Sequence, residues 1–195
     1  MRKRRGPAAA LLALLVSLEA PTSVVAEPVE GQDPATRSSI EMAGHRRLSR
    51  VMAEAGYRAT PFVTDGCSGG LSLAWGAVAD YLPPLAGVHD EYPPWEACCV
   101  THDRTYHVAG GARNAQESYR ARLSADEALR DCVLDTGVLR SPQLVETYDV
   151  TDAQVAAAYA LIADGMFNAV RLGGGPCSAL PWRWGYGYPG CLWPN

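Results

Sequence analysis

The chain has 195 residues with a formal charge of −4, and 48% of them are hydrophobic against 19% charged. That balance suits one globular domain and excludes a disordered or fibrous chain. Losing residues 1–26 would remove four basic residues and Glu19, taking the charge from −4 to −7 with no basic run left, which argues against nucleic acid as a partner.

Residues 1–26 read as a signal peptide. Arg2, Lys3, Arg4 and Arg5 give a positive start, residues 8–16 are apolar and uncharged, and Val24-Val25-Ala26 offers a small-residue cleavage site before Glu27. An apolar run of about ten residues is too short for the ~30 Å of a bilayer core. Nothing later reads as long and apolar enough to span one, so a secreted protein without a transmembrane segment is expected. Residues 27–40 are polar with Pro and Gly, a flexible leader.

A helical domain is expected over residues 41–172. Met42, Leu48, Val51, Met52 and Ala55 fall at mostly helical spacing within 40–57. Residues 61–70 read as a turn-rich loop, and 71–82 as a short helix closed by Pro83-Pro84. A clearer helix opens at Pro93-Pro94 and lasts until Gly110-Gly111. Another runs over 116–136 and ends near Gly137. Thr151-Asp152-Ala153-Gln154 carries the capping-box pattern and opens a helix to about Leu172. Residues 173–195 form a Gly/Pro/aromatic tail. With no alternating β run and no internal repeat, the class is mainly α.

Six cysteines, at 67, 98, 99, 132, 177 and 191, fit an oxidising compartment and permit fifteen sets of three bridges. On a helix, residues four apart share a face. Cys98, His102 and Tyr106 therefore form one stripe, with Cys99 and Asp103 beside it. The short Gly-rich connection at 110–114 predicts antiparallel packing of this helix on the next. If Cys98 bonded Cys132, a move of ~6 Å forward to His102 and ~9 Å back to Asp126 would bring those two level within side-chain reach, with Tyr106 close by.

Plainer readings stand beside this one. His102 could be a satisfied core histidine, and Cys98, Cys99 and His102 could hold zinc, although zinc sites usually draw on spaced cysteine pairs. Asp131 and Glu127 compete with Asp126. His89, Asp90 and Glu91 read as a solvated loop, His107 as exposed and His45 as surface-helical. The tail aromatics Trp182, Trp184, Tyr186, Tyr188 and Trp193 suit either a membrane interface or a bridged tail packed on the domain.

The run Cys98-Cys99-x-x-His102-Asp103-x-x-Tyr106, with Asp126 six residues before Cys132, resembles the secreted calcium-dependent phospholipase A2 family. Thr64-Asp65-Gly66-Cys67-Ser68 is similar to the calcium loop of its short prokaryotic members, and the likeness covers roughly residues 60–135. The resemblance implies a disulfide-stapled antiparallel helix pair with a calcium-binding loop. It implies hydrolysis of a phospholipid fatty-acyl ester, at the sn-2 position, on a membrane or micelle surface. His102 would be the general base on water, Asp126 would orient it, and Tyr106 would support Asp126. Asp103 would bind Ca2+ through its carboxylate, with carbonyls of Asp65, Gly66, Ser68 and Gly70, and the ion would polarise the ester carbonyl. A backbone N–H near Ser68 would add an oxyanion donor. The implied bridges are Cys67–Cys99 and Cys98–Cys132, leaving Cys177–Cys191.

Thr105 and Ala125 stand where many family members carry a bridged cysteine pair, and the 31 residues between Cys67 and Cys99 read as partly inserted. The rival function is a catalytically weak secreted lipid- or receptor-binding module on the same fold.

Overall fold

The computed structural model describes residues 34–67 and 92–192, four helices and their connections, with no strand among the described residues. The expected signal peptide, the expected helix at 71–82, the expected loop at 89–91 and Trp193 lie outside them.

Helix α1 (Pro34–Glu54) begins with a proline in its first turn, where the missing N–H costs nothing. The helix thus takes in residues 34–40, which the composition assigned to a flexible leader. His45, Leu48 and Met52 recur at helical spacing and are all buried. Burial of His45 corrects the surface expectation, and its ring lies against Tyr119 and Trp184.

Helix α2 (Glu96–His107) follows Pro93-Pro94 and buries Cys98, Cys99, His102, Tyr106 and His107 on one side. A 3-10 turn at Ala109–Gly111 then reverses the chain, with Gly110 at φ 63°. A Cβ at Gly110 would come within 2.6 Å of the Ala121 side chain, so both conformation and space require glycine there. His107, expected to be exposed, is buried between Phe62 and Tyr186.

Helix α3 (Ala115–Tyr148) starts on Asn114, whose side chain accepts from the Glu117 N–H at 2.9 Å. The predicted stop near Gly137 is wrong. The helix passes Gly137 and Pro142 and ends at Asp149, which takes the left-handed conformation. Local costs of about 1 kcal/mol for Gly and about 3 for Pro are outweighed by packing on the next helix. Gly137 lies under the Tyr159 side chain, and a Cβ there would come within 2.5 Å of it. Gly137→Val is therefore expected to destabilise the fold by about 1–3 kcal/mol through overpacking. Urea denaturation checks this, and a variant as stable as the parent would show that the two helices can separate freely.

Helix α4 (Asp152–Gly173) opens with the predicted capping box, Thr151 and Gln154 satisfying each other's backbone N–H. Val155, Tyr159, Ala163 and Met166 form its buried stripe, joining Leu129, Val133 and Trp95 around the two bridges at Cys98 and Cys99. With 22 residues and a mean hydropathy of 1.3 it is long and apolar enough to cross a membrane by length and composition. That corrects the expectation that nothing beyond the leader qualifies.

The tail packs on the domain. Trp184 is fully buried, Tyr188 nearly so, and both join Leu48, Met52, Tyr106 and the Cys177–Cys191 bridge. Gly185 N–H donates to Tyr106 O at 2.7 Å and Gly187 N–H to His107 O at 3.0 Å, which ties the tail to the end of α2.

Candidate functional site

Three bridges are present: Cys67–Cys99, Cys98–Cys132 and Cys177–Cys191, the pairs that the resemblance implies. No cysteine among the described residues is free, which removes the thiolates that the zinc reading needs.

Cys98–Cys132 fixes α2 against α3 with their Cα atoms 5.8 Å apart. One turn along α2, His102 Nε2 lies 3.0 Å from Asp126 Oδ1, and the Tyr106 hydroxyl donates to that same oxygen at 2.7 Å. The antiparallel helix pair and the side-chain cluster follow from one arrangement. Asp131 and Glu127 are exposed, Asp131 lying 3.8 Å from Arg130 on the surface, so neither competes for this position.

An ionised carboxylate only accepts hydrogen bonds, so His102 carries its proton on Nε2. Its Nδ1 is then a free lone pair, on the side where Asp103 Oδ1 lies 3.9 Å away. Burial opposes a charge on His102, but the nearby Asp103 carboxylate and the hydrogen-bonded Asp126 outweigh it and hold the imidazole above the usual 6.5. The neutral ring is reached at a higher pH than in a free histidine. Tyr106, buried and beside Asp126, stays a neutral phenol throughout.

The loop before α2 is drawn towards Asp103. The Thr64 hydroxyl donates to Asp103 Oδ2 at 2.6 Å while accepting from the Gly66 N–H at 3.0 Å. Gly66 sits at φ 67° against the Glu96 carboxylate, which accepts the Cys67 N–H at 3.2 Å. The Tyr186 hydroxyl donates to Val63 O at 2.7 Å, a second tie from the tail. Asp65, Gly66, His102 and Asp103 form the polar side of a pocket whose apolar side is Leu129, Met166, Ala169, Val170 and Trp182. Ser68 and Gly70 lie outside the described residues.

Among the described residues no three His, Cys, Asp or Glu side chains gather as a metal site. A hard cation held by one carboxylate and backbone carbonyls would not need such a gathering. The lining of this pocket fits that case: Asp103 offers a carboxylate, Asp65 and Gly66 bring loop backbone, and both neighbouring cysteines are bridged.

Three participants escaped the sequence reading. Arg171 Nη1 donates to Asp126 Oδ2 at 2.9 Å, Arg122 Nε donates to the Tyr106 hydroxyl at 3.2 Å, and Glu41 pairs with both guanidiniums. Arg122 stands four residues before Asp126 on one helix, a spacing that was visible. Glu41 and Arg171 arrive from α1 and α4, which only tertiary packing brings together.

Burial would raise the Glu41 carboxyl, but His45 Nε2 at 3.6 Å and the charges of Arg122 and Arg171 hold it down at about 2, against an ordinary 4.5. A depressed carboxyl stabilises the fold above its unfolded value, and that contribution is lost as pH falls through the folded one. The melting temperature is thus expected to fall between pH 4.5 and about 2, and less steeply in Glu41→Gln. Parallel slopes for the two proteins in scanning calorimetry would contradict this.

Comparison of the chain with family models, curated proteins and solved structures finds no match.

Proposed function

We propose that this protein is a secreted hydrolase that uses calcium to cleave a phospholipid fatty-acyl ester, at the sn-2 position by its resemblance to the phospholipase A2 family. The observation that carries the reading is the divided imidazole: Nε2 is tied to buried Asp126, and Nδ1 is left beside Asp103 at a pocket with one apolar wall.

His102 Nδ1 takes a proton from a water molecule as the water oxygen bonds to the ester carbonyl carbon. The Asp126 carboxylate stabilises the imidazolium, and Tyr106 and Arg171 each donate to one of its oxygens. When the tetrahedral species collapses, the bond to the glycerol oxygen breaks and His102 returns the proton to that oxygen. Fatty acid and lysophospholipid are the products, and the base is regenerated. Asp103 with carbonyls of Asp65 and Gly66, joined by Ser68 and Gly70 under the resemblance, would hold calcium, and the bound ion supplies positive charge for the developing oxyanion. Leu129, Met166, Ala169 and Trp182 offer the acyl chain an apolar surface.

Three bridges in one small domain suit an oxidising, extracellular setting. Analysis of the products from phosphatidylcholine micelles tests the reading: equal amounts of free fatty acid and lysophospholipid are expected. Vesicle binding without either product would instead favour a lipid-binding module.

A further inference from the structure

The carboxylate of Asp126 has two oxygens, and the structure divides them. Oδ1 receives His102 and Tyr106, and Oδ2 receives Arg171. The terminal torsion of an aspartate is broad, so donors on one oxygen alone leave the carboxylate plane weakly set. A donor on the other oxygen fixes it. Arg171 is well suited to this because it is itself fixed: its Nη2 donates to both Glu41 oxygens, at 2.9 and 2.8 Å.

Arg122 closes the ring of charges. Its Nη1 pairs with Glu41, and its Nη2 donates to the carbonyls of Val170 and Arg171 at 2.7 and 3.0 Å, which holds the last turns of α4 and thereby the Arg171 backbone. Two carboxylates and two guanidiniums balance, so the buried Asp126 side chain sits in a paired set of charges rather than alone. The planar fork of arginine makes this possible, since one side chain reaches Asp126 and Glu41 from different nitrogens.

We propose that Arg171, oriented by Glu41, is a positioning residue for the His102–Asp126 pair, so that docking of helix α1 completes the hydrolytic centre. The proposal rests on the function given above, and it makes α1 more than a packing element. Arg171 touches neither water nor ester; it acts through Asp126. A lysine at 171 keeps the charge but reaches one carboxylate at a time, so it should restore only part of the effect.

The test uses the full, oxidised chain, with Arg171→Gln, Arg171→Lys and Glu41→Gln beside the parent. Proton–nitrogen NMR reads the His102 Nε2–H, and the Gln154 backbone N–H, bonded to the Thr151 hydroxyl at 3.3 Å at the far end of α4, serves as the control for folding. Kinetics on a monomeric short-chain phospholipid separate kcat from KM. In Arg171→Gln and Glu41→Gln the His102 resonance is expected to move upfield or broaden while the Gln154 signal holds. The kcat should fall about 10- to 100-fold with KM unchanged, as for a displaced catalytic group, and Arg171→Lys should lie between. If a variant fails to fold, Glu41→Gln, a near-isosteric change at the edge of the cluster, still decides. An unmoved His102 resonance with parental kcat in a folded variant overturns the proposal. So does a kcat loss that only tracks the folded fraction. A parent without hydrolytic activity whose His102 resonance still responds would uphold the positioning and reject the function.

Discussion

Replacing His102 with Gln is expected to lower kcat/KM on a phospholipid ester by about 10²- to 10⁴-fold, the range that a positioned base contributes. Glutamine can still donate one N–H towards Asp126, which accepts at 3.0 Å from His102 in the parent. It cannot take a proton at neutral pH. The three bridges and both cores remain, so the variant should fold, and residual turnover would come from the remaining charge stabilisation at the ester. Initial rates of the purified variant, with its melting curve as control, decide the matter. A folded Gln variant with more than about a tenth of parental activity would remove His102 from the base role.

The second large effect concerns the Cys98–Cys132 bridge. It closes a segment of 34 residues, and loop-closure entropy for that length puts its contribution at about 4 kcal/mol. Cys98→Ser with Cys132→Ser should therefore lower the melting temperature by about 10 °C or more in a domain of this size. The loss reaches function as well, because the bridge holds α2 and α3 in the register that brings His102 level with Asp126. The matching pair at Cys177 and Cys191, 14 residues apart, is expected to cost about 3 kcal/mol, and much less in activity per folded molecule. Urea unfolding of the two double variants compares them directly. Equal activity losses per folded molecule would argue that register on α2 and α3 is not what the Cys98 bridge supplies.

What was legible in the sequence is what helical arithmetic alone can carry. Cys98, His102 and Tyr106 lie at steps of four on one helix, and Asp126 lies six residues before Cys132 on its neighbour. One bridge then turns two local patterns into a contact. A helix start was legible where a local capping group was read, as at Thr151.

The failures lie where a distant partner overrides the local preference. Gly137 and Pro142 looked like a stop, and packing of α4 carries the helix over both. His45 and His107 looked exposed because the tail that covers them comes from about Trp184 to Tyr188, far along the chain. Glu41 and Arg171 are separated by 130 positions, and nothing in either segment announces the other. Tyr186, which reaches Val63 O, belongs with them. The site thus has a local half, written in one helix and its bridge, and a non-local half that the tertiary fold supplies.

The most direct measurement is the calcium dependence of fatty-acid release from phosphatidylcholine vesicles by the oxidised protein, with Asp103→Asn alongside. Release is expected to rise and saturate with added calcium, stop with a chelator, return when calcium is restored, and be absent or much weakened in Asp103→Asn. No release at saturating calcium, or release indifferent to chelation and to the Asp103 substitution, would contradict it.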